Sequence, residues 1–214
     1  MVYDVKEVPK GFHIHANGGG LVQDTAVVEA SVYVGGNARV SGDAQVSGNA
    51  LVYGNAWVSG NALVYGDAQV RGNAQVRGNA LVYGNALVSG NAQVSGNAQV
   101  RGNAVVYGDA QVRGNAQVSG DAQVRGNALV YGNAWVYGNA WVCGDAWETT
   151  PLYIAGMKHS LSNSRHGHIL IGCHEHTFAY WLDHYKAIGR AEGYSEEEIK
   201  QYGLFIELFV RVGK

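Results

Sequence analysis

Gly72-Asn73-Ala74-Gln75-Val76-Arg77, followed without a break by Gly78-Asn79-Ala80-Leu81-Val82-Tyr83, holds the pattern on which the fold turns. The tripeptide Gly-Asn/Asp-Ala recurs nineteen times, from Gly36-Asn37-Ala38 to Gly144-Asp145-Ala146, and each copy but the last is followed by a variable residue, a Val and a second variable residue. Extended backwards through Ala30-Ser31-Val32-Tyr33-Val34 and Gly20-Leu21-Val22, the pattern places Val at every sixth position from Val22 to Val142, twenty-one repeats in all. Self-similarity at a fixed short period decides the architecture before any single residue does.

Within one unit, Ala-x-Val alternates with a period of two, so Ala and Val share one face of a short strand and the variable residues the other. Gly-Asn and Gly-Asp tolerate positive φ and turn the chain sharply after every strand. A helix is excluded, because a Gly every six residues costs about 1 kcal/mol each against Ala. Strand and corner in alternation, with a small and a branched apolar residue facing inward each time, predict a narrow parallel β-helix filled by stacked Val and Ala.

On these residues the chain resembles the hexapeptide-repeat family, and the likeness covers about 120 of the 214 residues. The resemblance implies three hexapeptides per triangular coil, a left-handed coil, and about seven coils. At the usual spacing between strands the prism would be roughly 34 Å long. The expected chain is therefore a left-handed parallel β-helix over residues 21–148, preceded by an N-terminal cap (1–20) and followed by a small α+β domain (149–214).

A period of eighteen sorts the outward residues onto three faces. The first carries Arg39/Ser41, Trp57/Ser59, Gln75/Arg77, Gln93/Ser95, Gln111/Arg113 and Leu129/Tyr131; the second Gln45/Ser47, Leu63/Tyr65, Leu81/Tyr83, Gln99/Arg101, Gln117/Ser119 and Trp135/Tyr137. The third carries Leu51/Tyr53, Gln69/Arg71, Leu87/Ser89, Val105/Tyr107, Gln123/Arg125 and Trp141/Cys143. Like side chains stacking along the axis, with Gln75, Gln93 and Gln111 as an amide ladder, is the plain reading. Outward Leu, Val, Tyr and Trp nevertheless exceed the contiguous apolar area usual on a monomer. The family resemblance implies a homotrimer with parallel prism axes, and cyclic symmetry would bury one face per subunit. The third face is the expected interface, through Leu51, Tyr53, Leu87, Val105, Tyr107 and Trp141. An ice-binding face would need regular Thr ladders, and Gln, Leu and Arg occupy those places.

The repeats stop at Trp147-Glu148, where the count puts Glu148 in the Val position. Trp135, Trp141 and Trp147 then fall on successive sides of the last turn, an expected docking surface for the C-terminal domain. Beyond Pro151, strands are expected at Leu152–Ala155 and His168–Cys173. Thr177 is placed to cap a helix reaching about Arg190, with Phe178, Trp181, Leu182 and Tyr185 at helical spacing. Ser195-Glu196-Glu197-Glu198 reads as a capping box opening a second helix that carries Ile199, Tyr202, Phe205 and Ile206 inward. At about 65 residues this unit is small for an independent core and should lean on the prism or on sister subunits. At the other end, His13 and His15 flank Ile14 in a stretch best read as a short capping strand over the first coil, with a polar or metal site as the alternative.

The pattern Ile171-Gly172-Cys173-x-x-His176-Thr177-x-x-x-Trp181 resembles a terminal module of bacteriophage and prophage proteins, as does the run from His13 to Gly20. That resemblance implies a phage origin, hence a bacterial host cytoplasm, and no established activity.

The net charge of −2 hides no opposed segments: two Lys face four acids in residues 1–36, six Arg six acids in 37–148, and seven bases seven acids in 149–214. A nucleic-acid binder normally shows a basic stripe, and a membrane-surface protein a basic amphipathic helix. Neither is present, no stretch approaches the roughly 18 apolar residues of a membrane span, and the start has no apolar leader core. No nucleic-acid or membrane partner is expected. Cys143 and Cys173 are too few for a disulfide framework and read as reduced thiols.

All eight His lie outside the prism. Hexapeptide acyltransferases use a His in the coils, or on a loop extruded from them, as the general base that deprotonates the hydroxyl or amine accepting the acyl group from coenzyme A, and here residues 37–142 contain no His, Cys or Glu and no inserted loop. Under that alternative the base would be His168, His174 or His176, with coenzyme A as cofactor; otherwise no cofactor is expected. Arg71, Arg101, Arg113 and Arg125, with Tyr107, are the weak candidates for a phosphorylated ligand. Cys173 and His176 form a weak candidate metal pair that lacks a third ligand, since His168 would point to the other side of the strand from Cys173. A thiol nucleophile at Cys173 is a further alternative, and a buried structural thiol is preferred to both.

The favoured function is a non-enzymatic phage-type binding or scaffold protein. Its expected partner is a host protein or a small phosphorylated molecule; the alternatives are a coenzyme A-dependent acyltransferase and a sponge for a nucleotide signal of host defence.

Overall fold

The structure is a computed structural model that describes residues 8–214. The reading of the chain start, and the first seven residues of the expected cap, lie outside the described residues.

Three parallel sheets run along a solenoid of about seven turns. Each strand pairs with the strand eighteen residues on, as Arg39↔Trp57↔Gln75↔Gln93 on the first face, Gln45↔Leu63↔Leu81 on the second and Leu51↔Gln69↔Leu87 on the third. In the middle coils a hexapeptide makes three hydrogen bonds to the next coil: Gln75 N–H donates to Ala92 O (2.9 Å), Arg77 N–H to Val94 O (2.9 Å) and Asn79 N–H to Gly96 O (2.8 Å). The inward Ala and Val form one continuous core along the axis, each with at most 1% of its surface exposed from Val32 to Val142.

The amide ladders run along the corners and not along the face glutamines. Asn55 Nδ2 donates to Asn73 Oδ1 (3.0 Å), Asn73 to Asn91 (3.0 Å) and Asn91 to Asp109 (2.8 Å); a second column links Asn61, Asn79, Asn97, Asn115 and Asn133. Asn has both a donor and an acceptor and can propagate such a column, whereas an ionised Asp only accepts and ends it, as Asp109 and Asp121 do. Gln93 accepts from Arg77 (2.9 Å) instead of joining its neighbours, because a longer amide on a crowded face meets the guanidinium first.

The prism is closed at both ends. Phe12–Ile14 pairs antiparallel with Leu21–Gln23, covering the first coil. His15 is buried, with Nε2 2.9 Å from Val32 O, and His13 is exposed beside Asp24 (3.0 Å). At the far end the register slips by one residue. Leu129 pairs with Ala146 and Val130 with Trp147, so Trp147 and not Glu148 takes the Val position. Asp145, at φ +57, turns the corner one residue early. A slip of one residue sends a strand's side chains to the opposite face, and Trp147, 1% exposed, thereby plugs the axis.

Beyond it stands a four-stranded antiparallel sheet, Tyr153–Ile154, Leu161–Asn163, His168–Ile171 and His174–Thr177 in that order, followed by helices α1 (Phe178–Ala191) and α2 (Glu196–Val212). The expected strand to Cys173 is in fact a hairpin: Gly172, at φ +59, turns the chain, and Cys173 is exposed in the turn, not buried. Thr177 Oγ1 caps α1 by accepting from Tyr180 N–H (3.2 Å), and Ser195 and Glu198 form the reciprocal capping box of α2. Trp181, Tyr202, Ile206 and Phe209 pack with Leu161, Ile169 and Ile171, Ile199 is also buried, and Leu182 faces solvent. Among the described residues no helix is long and apolar enough to cross a membrane.

The seam between prism and end domain is polar at its edge. Cys143 N–H donates to Ser164 O (2.8 Å), His166 N–H to Asp145 (2.6 Å), and the Trp147 ring meets His166 edge-on. Glu175 accepts from Ser164 Oγ (2.7 Å), Arg165 Nε (3.1 Å) and Cys143 Sγ (3.5 Å).

Candidate functional site

The corners and faces of the prism are occupied by contacts between coils. Arg71 donates to Tyr53 Oη and Arg101 to Tyr83 Oη, both at 3.4 Å and both one coil back. Arg125 lies 4.7 Å above the Trp141 ring, and Arg113 5.5 Å from the centre of the Tyr131 ring. These arginines stand on different faces: Arg71, Arg125 and Tyr107 on the third, Arg101 on the second and Arg113 on the first. Leu51, Tyr53, Leu87, Val105, Tyr107 and Trp141 share the third sheet and are half-buried within the chain. Trp135 turns its indole N–H down onto Ser119 Oγ (2.8 Å) and keeps 42% of its surface exposed, while Trp141 N–H donates to Ser162 Oγ (3.4 Å) at the seam.

The end domain brings its functional groups together differently from their order in the chain. In the hairpin, Ile169 faces His176 and Ile171 faces His174, so both His stand on the helix side of the sheet with those isoleucines. His168 pairs with Thr177 on the opposite side, its Nδ1 3.0 Å from His166 O. Of the three candidate bases, His174 and His176 are therefore neighbours, and His168 is apart. His176 lies against Tyr180 (4.2 Å between centroids) and edge-on to Trp181 (5.3 Å). Burial, and then the nearby His174 and His184, push its imidazolium down from the ordinary value. Among the described residues no three His, Cys, Asp or Glu side chains gather as a metal site.

Between the hairpin turn and the two helices lies a cleft. Ile171, Ile188, Ile199 and Ile206 make its floor, and Trp181, Tyr185, Tyr194 and Tyr202 its walls. The helices approach closely here because Gly189 and Gly203 carry no side chain: a Cβ on Gly189 would stand 2.8 Å from Ile199, and one on Gly203 2.8 Å from the Tyr185 ring. At the mouth, His174 Nε2 and Glu192 Oε1 are 3.0 Å apart, and His159 Nδ1 bonds Tyr194 Oη. The His174 hydrogen bond holds the Glu192 carboxyl below its ordinary value. Burial, with Tyr202 second, drives the Tyr194 phenol up. Tyr202 Oη donates to His159 O (2.6 Å) and accepts from His159 N–H (2.7 Å), pinning the loop that forms one lip.

His159, Glu192 and Tyr194 are not legible as site residues from the sequence. The one available signal is Tyr194 itself: it precedes the capping box, where an apolar residue usually packs on the fourth residue of the helix, here Ile199. Both line the cleft.

The molecule is thus a parallel β-solenoid with a small α+β domain mounted on one end. Its repeats match the family model described as the YdcK beta solenoid repeat at residues 44–60, 58–72, 74–90, 80–96, 92–108, 122–138 and 128–144, so the likeness lies within the prism and stops short of the end domain. Comparison with curated proteins and with solved structures gave no match.

Proposed function

We propose that the protein is a non-enzymatic binding protein of phage type, in which a trimer of rigid solenoids carries the end domains that meet the partner. One observation carries this reading: the prism's Asn, Arg and Tyr side chains are engaged with adjacent coils, while the concave site, with His174, Glu192 and Tyr194 among its lining, lies in the end domain. The likeness of His13–Gly20 and Ile171–Trp181 to phage proteins supports the placement, and the apolar third face supports the trimer.

Acyl transfer is the second reading, favoured by the His174–Glu192 pair. A His held by a carboxylate at one nitrogen has the other available as a general base.

The test has two parts. Leu87→Asp should convert a trimer into monomers by sedimentation, and a trimer that persists would sink the proposed seam. Incubated with acetyl-coenzyme A and a panel of amines and alcohols, the protein should release no coenzyme A above the blank. Turnover that disappears in His174→Ala would replace the binding reading with the transferase.

A further inference from the structure

Four aromatic rings, Trp181, Tyr185, Tyr194 and Tyr202, line the end-domain cleft, and the Glu192 carboxylate stands at its mouth. One further feature adds to the negative charge there. Helix α1 ends beside the cleft, which Ile188 and Gly189 help to line, so the helix presents the partial negative charge of its carbonyl end. The rim already holds one cation of the chain, which offsets part of that charge and shows that these groups accept an ammonium ion: Lys158 Nζ lies 4.5 Å from the centre of the Tyr194 ring and donates to Glu192 O (2.9 Å) and Gly193 O (3.1 Å). Aromatic faces attract cations through the ring quadrupole, most strongly when the cation is desolvated.

The floor restricts the kind of cation. Ile199 and Ile206 offer no acceptors, so an ammonium seated against them with its own N–H groups would leave buried donors unpaired, at a cost that N-methyl groups do not incur. We infer that this cleft binds a small organic ammonium ion of the methylated or quaternary class, its methyl groups on the isoleucine floor and its charge between the tyrosine rings and Glu192. The inference rests on the binding reading above and names the ligand class of its end domain.

Titration of the full chain with choline and with tetramethylammonium, followed by calorimetry, tests it, with 3,3-dimethylbutan-1-ol as the uncharged counterpart of choline. Saturable binding of both cations is expected, with the uncharged alcohol about tenfold weaker or more. Glu192→Gln and Tyr194→Leu should each weaken choline by about 3- to 30-fold. Glu192 is on the surface, so its variant decides the matter even if Tyr194→Leu fails to fold. Absence of saturable binding by either cation, equal binding of the alcohol, or full affinity in Glu192→Gln would overturn the proposal. Failure here without coenzyme A release removes only the ligand class; coenzyme A release removes the binding reading itself.

Discussion

At the scale of the residue, the invariance of Gly in the repeat has two physical causes that can be separated. Gly78 sits at φ +73, and a Cβ there would stand 3.1 Å from Gly96 N and 3.2 Å from Gly96 O in the coil above. Gly126 shares the left-handed backbone at φ +61 but has open space around the same position. A side chain at such φ costs about 1–3 kcal/mol, and only Gly78 adds a backbone contact that no rotamer relieves. Gly78→Ala should therefore lower the thermal midpoint by more than Gly126→Ala. Equal losses would show that the backbone conformation alone, and not the stacking of glycine on glycine, forbids a side chain.

At the scale of the element, the edge of the seam is set by one carboxylate. Burial alone would raise the Glu175 carboxyl; the Ser164 hydroxyl, the Arg165 guanidinium and the Cys143 thiol outweigh it and hold it below its ordinary value of 4.5. A carboxyl whose pKa is depressed in the folded state adds stability that is present above about pH 4.5 and is lost as the pH falls through the folded value. Between pH 7 and pH 3 the melting temperature of the native protein should accordingly fall further than that of Glu175→Gln. Parallel falls would mean that the Ser164–Arg165–Glu175 cluster does not hold the domain to the prism. The helix caps are a different matter, since Thr177 and Ser195 act within their own helices and owe nothing to the seam.

At the scale of the whole molecule, Trp147 stands where the prism core ends and the end domain begins, with Tyr153 of the end-domain sheet also packed against that core. Trp147 closes the Ala/Val axis from its end and presents its ring edge to His166 of the end domain. Truncation of a fully buried Trp costs about 3–5 kcal/mol, so Trp147→Ala should lower the denaturation midpoint strongly. Trp147→Phe, which keeps a plug, should recover a good part of the loss. If Trp147→Ala denatured at the native midpoint, the prism would not need its plug. The proposed trimer belongs to this scale too: its seam would lie on the third face, lateral to the axis, and is independent of how the prism ends.

The repeat region was legible almost residue by residue. The pairing of Gln75 with Gln93, the burial of each repeat Val from Val34 to Val142 and the sorting of outward residues onto three faces all follow from a period of six folded three to a turn. Local chemistry also specified the two helices, because Thr177 and Ser195 act on amides only a few residues away. What the sequence by itself determined is thus whatever depends on near neighbours or on exact repetition. Tertiary structure alone decided the rest. The slip that buries Trp147 in place of Glu148 depends on a corner at Asp145 that looks, locally, like eighteen others. The move of the amide ladder from Gln to Asn depends on which side chains meet across coils. The cleft depends on bringing His159, His174, Glu192 and Tyr194 together from a loop, a hairpin, the end of α1 and the start of α2. Such meetings are set by the packing of one element on another, and no periodicity along the chain records them.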